Sequence, residues 1–197
     1  MYRPLTISQE KFVALAEAEI ENGTKHDRRY YEKLAVEHGI YDKNVAKELL
    51  ELAIVRQARR IARSSDPLEY RYRQIVELYS KQVNLSMRTS QSVLLQQYST
   101  PAPIGFLAGA YTGAYREDVN VFEPSAGNGL LTIAADPKNV IVNEIDHTRR
   151  FNLETQNFKG VWREDASKPF QGYRDTFDCI ITNPPFGRLE KAIEIHG

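Results

Sequence analysis

Three patterns along this chain predict an α/β fold, with a helical N-terminal region leading into a parallel sheet. Residues 1–96 carry apolar side chains at helical spacing. From residue 97 onward, short apolar runs alternate with helical stretches, as a parallel sheet with crossover helices requires. Within that second half, an apolar run enters a Gly-rich turn and leaves it toward a helix, the layout of a ligand-binding strand–turn–helix unit. The chain therefore divides into 1–96, helical, and 97–197, a sheet region with four strands.

The first helix is expected over Lys11–Ile20, with Phe12, Leu15, Ala16 and Ile20 at helical spacing, Ser8 as N-cap and Lys11 at the third helical position. The second spans His26–Glu37 and ends at Gly39. The third runs from Asp42 to Ala62, with Leu49, Leu52, Ala53 and Ile61 on or near one apolar stripe. Ser64-Ser65-Asp66-Pro67 ends it and caps a fourth through Tyr70 to Ser80. Ser99 or Thr100 caps the next helix, Pro101 fits its first turn, and Ile104–Ala110 continue it. Strands are expected at 119–123, 139–143, 159–163 and 177–182. Helices are expected at 128–135, at 147–157 with Asp146 as N-cap, and at 188–195.

Four short runs carry the chemistry. Asn183-Pro184-Pro185-Phe186 follows the apolar run Phe177–Thr182, which reads as a buried strand. The two prolines end the strand and fix the backbone. The Asn183 amide oxygen, the Pro184 carbonyl and the Phe186 ring together make a cradle for a planar amine. Upstream, Val121-Phe122-Glu123-Pro124-Ser125-Ala126-Gly127-Asn128-Gly129 is the Gly-rich turn, and it departs from the dinucleotide pattern G-x-G-x-x-G. On turn chemistry alone, a plain turn explains it equally well. Glu144 ends the second run and suits a bidentate grip on ribose hydroxyls; an exposed loop glutamate is the alternative. Glu164-Asp165-Ala166 ends the third run and also reads as a solvated acidic turn. Tyr98-Ser99-Thr100-Pro101 precedes all of these and by itself reads as a capped helix start.

Together, in the order in which they stand, these runs resemble the motifs of the gamma-type, S-adenosylmethionine (SAM)-dependent adenine-N6 DNA methyltransferases. Tyr98–Pro101 resembles motif X, Glu123–Gly129 motif I, Glu144 motif II, Asp165 motif III and Asn183–Phe186 motif IV. The resemblance covers Gln97–Gly187. It implies part of a class I SAM-methyltransferase (Rossmann-like) sheet, with four parallel strands in the order 3-2-1-4. It implies SAM as cofactor, held by Tyr98, Ser99, Thr100, Glu123, Pro124, Ser125, Gly127, Gly129, Glu144, Ile145, Asp165, Ala166 and Asn183, with Asp165 accepting from the adenine amino group. Asn183, Pro184, Pro185 and Phe186 would be catalytic, Phe186 stacking on a target base flipped out of DNA.

The family's fold usually has seven strands and a recognition domain, so a fragment of a longer polypeptide is expected. Strand 177–182 would be an edge, open to self-association or to a missing C-terminal portion. A cytoplasmic protein of prokaryotic or phage origin is what the resemblance implies. Two related families share the N-P-P-[FY] cradle, and they methylate RNA guanine-N2 or a protein glutamine. A non-catalytic SAM-fold module of a larger DNA-processing protein is the reading from another class.

Composition narrows the rest. The formal net charge is zero, so no global basic signal points to nucleic acid. Arg56, Arg59, Arg60 and Arg63 nonetheless share one face of the third helix and read as phosphate contacts; a solvated face or salt bridges to acidic neighbours is the competing reading. The single cysteine, Cys179, has no internal disulfide partner and reads as a buried core thiol. Four scattered histidines lack cysteine partners at zinc spacing, so no metal site is expected. No stretch is apolar enough for a membrane span, and no signal-peptide h-region begins the chain.

Overall fold

The computed structural model of the chain describes residues 5–82, 99–171 and 176–184. The helices are α1 (Ile7–Glu21), α2 (Arg28–Glu37), α3 (Lys43–Ala62), α4 (Leu68–Lys81), α5 (Ala102–Thr112) and α6 (His147–Glu154). The strands are β1 (Val121–Glu123), β2 (Val140–Asn143), β3 (Gly160–Trp162) and β4 (Cys179–Ile180). They form one parallel sheet in the order β3-β2-β1-β4. An α/β fold with a helical N-terminal region is thus what the chain adopts. The expected boundary near residue 96 and the helix at 188–195 lie outside the described residues.

Several element ends differ from expectation, each for a local reason. Thr6, not Ser8, caps α1: its hydroxyl accepts from Gln9 N at 3.2 Å while the Gln9 side chain accepts from Thr6 N at 3.0 Å. This reciprocal box puts Gln9, not Lys11, at the third helical position, because an amide side chain can reach back and a lysine cannot accept. Asp27, Asp42 and Asp146 cap α2, α3 and α6 through side-chain oxygens. Pro67 and Pro101 stand at the starts of α4 and α5 without side-chain caps. Ser64 instead donates to Asp66, Ser99 to Glu51, and Thr100 accepts from Asn183.

The helix expected at 128–135 is a single 3-10 turn, Leu130–Thr132. Gly127 and Gly129 have φ of +58° and +96°, which bars an α-helix from starting before residue 130. Pro137 closes the other end, leaving too few residues for a stable α-helix. The turn also lies hard against α5. A Cβ on Gly105 would stand 2.2 Å from the Leu130 carbonyl oxygen.

The strands are shorter than the apolar runs that announced them, and β4 is only two residues long. Asp178 leaves the strand to accept from the Asn120 backbone at 2.8 Å. Ile180 is exposed and Cys179 only part-buried, so the reading of 177–182 as a fully buried strand and of Cys179 as a core thiol does not hold. β4 borders only β1 among the described residues. Helix 147–157 stops at Glu154, after which Asn157 takes a positive φ.

The largest departure is α3. A single apolar stripe was expected, yet Leu49, Leu50, Leu52, Ala53, Ile54, Val55 and Ala58 are all buried. The helix is covered on opposite sides. Leu49, Leu50, Leu52 and Ala53 join Phe12, Val13 and Ala16 of α1 and Tyr31 of α2. Val55, Ala58 and Ala62 join Ile75 and Leu78 of α4, Phe106 of α5, Leu130 of the 3-10 turn and Ile133 just after it. A third cluster, with Val121, Val140, Val142 and Leu153, packs α6 onto the sheet. α3 therefore belongs to two of the three clusters and packs the helical region against α5 and the 3-10 turn.

Candidate functional site

The carboxyl ends of the four strands open into a cleft of about 610 Å³. This is where an open parallel sheet binds ligands, because loops from neighbouring strands diverge there. From β3 toward β4, its lining passes through Glu164 and Asp165, then Asn143, Glu144 and Ile145, then Pro124–Asn128, then Thr182, Asn183 and Pro184. Ser99 and Thr100 precede α5 and close the β1–β4 end, joined there by Glu51 of α3.

Asn143, which the sequence reading passed over, organises the β1–β2–β3 corner. Its Nδ2 donates to the carbonyls of Pro124 and Glu164, both at 2.9 Å, and its Oδ1 accepts from Glu164 N at 2.7 Å. One buried amide thus staples three strand ends. Its only sequence signal is a polar residue ending a run of β-branched ones.

Glu144 is buried, and both its oxygens already serve the backbone. Oε2 accepts from Gly127 N at 2.8 Å and Oε1 from Asp146 N at 2.7 Å. The carboxylate therefore braces the Gly-rich turn, and each oxygen keeps a lone pair for a hydroxyl donor. Burial raises its pKa, opposed by those backbone hydrogen bonds and by Arg149. Beside it, Ile145 leaves 58% of its surface exposed at the cleft rim, an apolar platform for a flat ring. Asp165 is exposed at the cleft rim. Its Oδ1 accepts from the Ser167 hydroxyl at 2.7 Å and from Ser167 N, which lowers its pKa. Ala166 is exposed beside it.

The two glycines of the turn play different parts. Gly127 lines the cleft. Gly129 faces inward, where a Cβ would meet Gln156 and Leu153 at 3.3 Å, so it serves packing and does not border the ligand space. Glu123 is fully buried beneath the lining; its Oε1 accepts from Ser125 N at 2.9 Å and from the Ser125 hydroxyl at 3.3 Å. Ser125 in turn shares a 2.9 Å hydrogen bond with Thr182, tying β1 to the approach of Asn183. Asn183 Nδ2 donates to Thr100 Oγ1 at 3.1 Å, which leaves its Oδ1 as an acceptor. Tyr98, Pro185 and Phe186 lie outside the described residues.

Beneath the turn runs a buried polar network that sequence reading did not find. Glu48 of α3 accepts from Asn128 Nδ2 at 2.6 Å and from Arg149 Nε at 2.9 Å, and Asn152 bridges the Glu48 and Asn128 oxygens. Burial raises the pKa of Glu48, Glu51 adds to that, and Arg149 opposes both. No local sequence pattern signals a pairing across 101 positions.

The arginine face of α3 is engaged inside the chain. Arg56 reaches Glu10, Glu17 and Thr155; Arg60 reaches Glu17 and Glu21; Arg63 pairs with Asp136 at 2.8 Å. Arg59 donates to Gln156 at 3.1 Å and lies over the Phe158 ring. Of the two readings the sequence left open, this geometry favours salt bridges to acidic neighbours over phosphate contacts.

The fold and cleft define an open parallel α/β protein with a cleft at its strand ends. No family model, no curated protein and no solved structure matches the chain.

Proposed function

We propose that this chain binds SAM and directs methyl transfer to the exocyclic N6 amine of adenine in DNA. The observation carrying this reading is convergence. Thr100, Gly127, Glu144, Asp165 and Asn183 come from five separate segments yet line one cleft, in an order that suits a single extended ligand.

The residues present fit the cofactor. Asp165 and Ile145 offer an acceptor and an apolar platform for adenine, and Glu144 offers lone pairs for ribose hydroxyls. Gly127 and Asn128 bring backbone close to the ligand's centre. Bound there, SAM supplies an electrophilic sulfonium methyl. The protein's share is orientation. Asn183 Oδ1 and the Pro184 carbonyl accept from the two hydrogens of the target amine. They draw its nitrogen toward tetrahedral geometry and stabilise the positive charge that develops on it. Thr100 holds the Asn183 amide so that its oxygen stays turned to the substrate.

Calorimetric titration with S-adenosylhomocysteine tests the cofactor site. Micromolar binding is expected for the wild type and none for Glu144→Ala; a wild-type chain that does not bind removes the reading. Transfer from labelled SAM to adenine-containing DNA tests the chemistry. Asn183→Ala should lose about 10²-fold or more in turnover while keeping cofactor affinity.

A further inference from the structure

Glu51 stands where no motif would place a ligand-binding residue. It lies in the middle of α3, in the helical region, yet its side chain lines the cleft at the β1–β4 end. The residue is 2% exposed, and its Oε2 accepts from Ser99 Oγ at 2.6 Å. Ser99 adjoins Thr100, which holds Asn183. Glu51 therefore sits at the end of the cleft where transfer chemistry is proposed, and Glu164 and Asp165 mark the opposite end.

Among the described residues its carboxylate forms no salt bridge, although the field of Arg149 reaches it. Arg149, the one cationic side chain among the described residues of the lining, is paired with Glu48 at 2.9 Å and also feels Glu51. Among the described residues no cation stands within ion-pair distance of Glu51, which keeps a hydroxyl as hydrogen-bond donor. A carboxylate removed from water is costly to hold unless a positive group meets it. Among the described residues of the lining, Arg149 is the single cation, and Glu48 and Glu51 share it, so a positive group on a ligand would balance the second carboxylate. Glu123, the acid of the Gly-rich turn, does not fill this role because it is buried beneath the lining.

We infer that Glu51 binds the α-ammonium group of the cofactor's amino-acid end, which makes α3 a wall of the cofactor site. This rests on the SAM reading above. An adenosine group at Asp165 and Glu144 leaves the amino-acid arm of the same ligand to extend past the Gly-rich turn toward Ser99 and Glu51. The contact is an ammonium–carboxylate hydrogen bond, stronger than a neutral one and further strengthened by exclusion from water.

Two probes separate this role from a structural one. S-adenosylhomocysteine carries the ammonium; methylthioadenosine has the same nucleoside and sulfur but no amino-acid arm. Glu51→Gln keeps the size and an acceptor oxygen while removing the charge. It should weaken S-adenosylhomocysteine about 10- to 100-fold by calorimetry and leave methylthioadenosine within about twofold of wild type. Retained methylthioadenosine binding also shows that the variant is folded. Equal weakening of both ligands would make Glu51 a support for the cleft's shape, and unchanged affinity for both would remove it from the site; either result overturns the inference and leaves the SAM reading intact. Wild-type chain that binds neither ligand fails the SAM reading itself, and this inference with it.

Discussion

Glu123→Gln tests whether burial governs the charge beneath the Gly-rich turn. The Glu123 carboxyl is fully buried, one oxygen held by Ser125 and the other, Oε2, without a hydrogen-bond partner among the described residues. Burial pushes its pKa up from 4.5 to about 7, helped by the nearby Glu144 charge and opposed by hydrogen bonds from Ser125 and Thr182. The folded state therefore holds this proton more tightly than the unfolded chain. Its contribution to stability is complete below pH 4.5 and is lost as pH rises through about 7. At ~1.36 kcal/mol per pH unit, the loss amounts to ~3 kcal/mol, most of it between about pH 5 and about pH 8. Glutamine preserves the shape and an acceptor for Ser125 but cannot ionise. Near pH 5 the variant should match wild type to within ~1 kcal/mol, the scale of one altered hydrogen bond. Near pH 8 it should be the more stable by ~2–3 kcal/mol, or roughly 4–12 °C in melting temperature for a chain of this size. Urea unfolding followed by circular dichroism across this range measures the difference directly. Glu48, also raised by burial, titrates in both proteins and cancels in the comparison, whereas Glu144 also raises the Glu123 pKa, so the difference reads Glu123 together with that coupling. Parallel pH profiles for the two proteins would refute the reasoning, because they would show that Glu123 ionises without penalty in the fold.

Two further substitutions probe how the turn is held. Gly105→Ala places a methyl 2.2 Å from the Leu130 carbonyl oxygen, a backbone atom that can yield only by moving the 3-10 turn. The expected cost is about 1–3 kcal/mol in thermal unfolding, with weaker S-adenosylhomocysteine binding because Leu130 borders the cleft. Glu48→Ala leaves Arg149 buried without its partner and should destabilise by about 3–5 kcal/mol in urea. A loss below ~1 kcal/mol would mean that water reaches the pair and that the turn is held by other contacts.

The sheet was legible in the sequence because parallel strands, covered on both faces, read as near-continuous apolar runs. Val121–Glu123, Val140–Asn143 and Gly160–Trp162 each fall inside a run seen beforehand. The cap at Asp146 was legible because one aspartate stood alone before the helix; Asp27 and Asp42 cap by the same rule but were read only as part of a helix and as a helix start. At α1 two hydroxyl residues competed, and the deciding signal was Gln9 three positions after Thr6, which was available but passed over. The 3-10 turn was missed although its local causes, Gly127, Gly129 and Pro137, stood in the sequence; only its packing against Gly105 was not legible. Nor were the partners of Arg56 and Arg60, whose acids lie on another helix 39 to 46 positions away. Spacing along one helix reveals a shared face but not what the face meets.

Much the same limit hid the part played by α3. Glu48 and Glu51 are one helical turn apart and, in sequence, look like two solvated acids on an amphipathic helix. In the fold they hold two different loops: Glu48 grips Asn128 of the Gly-rich turn, and Glu51 grips Ser99 ahead of α5. Both loops line the cleft, and neither contains enough regular structure to fix its own position. A helix buried on opposite sides is rigid, so two side chains from one of its turns set the distance between the loops. Disturbing α3 should therefore alter ligand binding even where the strands and their motifs are intact. In this chain the helical region supplies part of the cleft wall, and the physical unit that forms the cleft begins well before the first residue of the motifs.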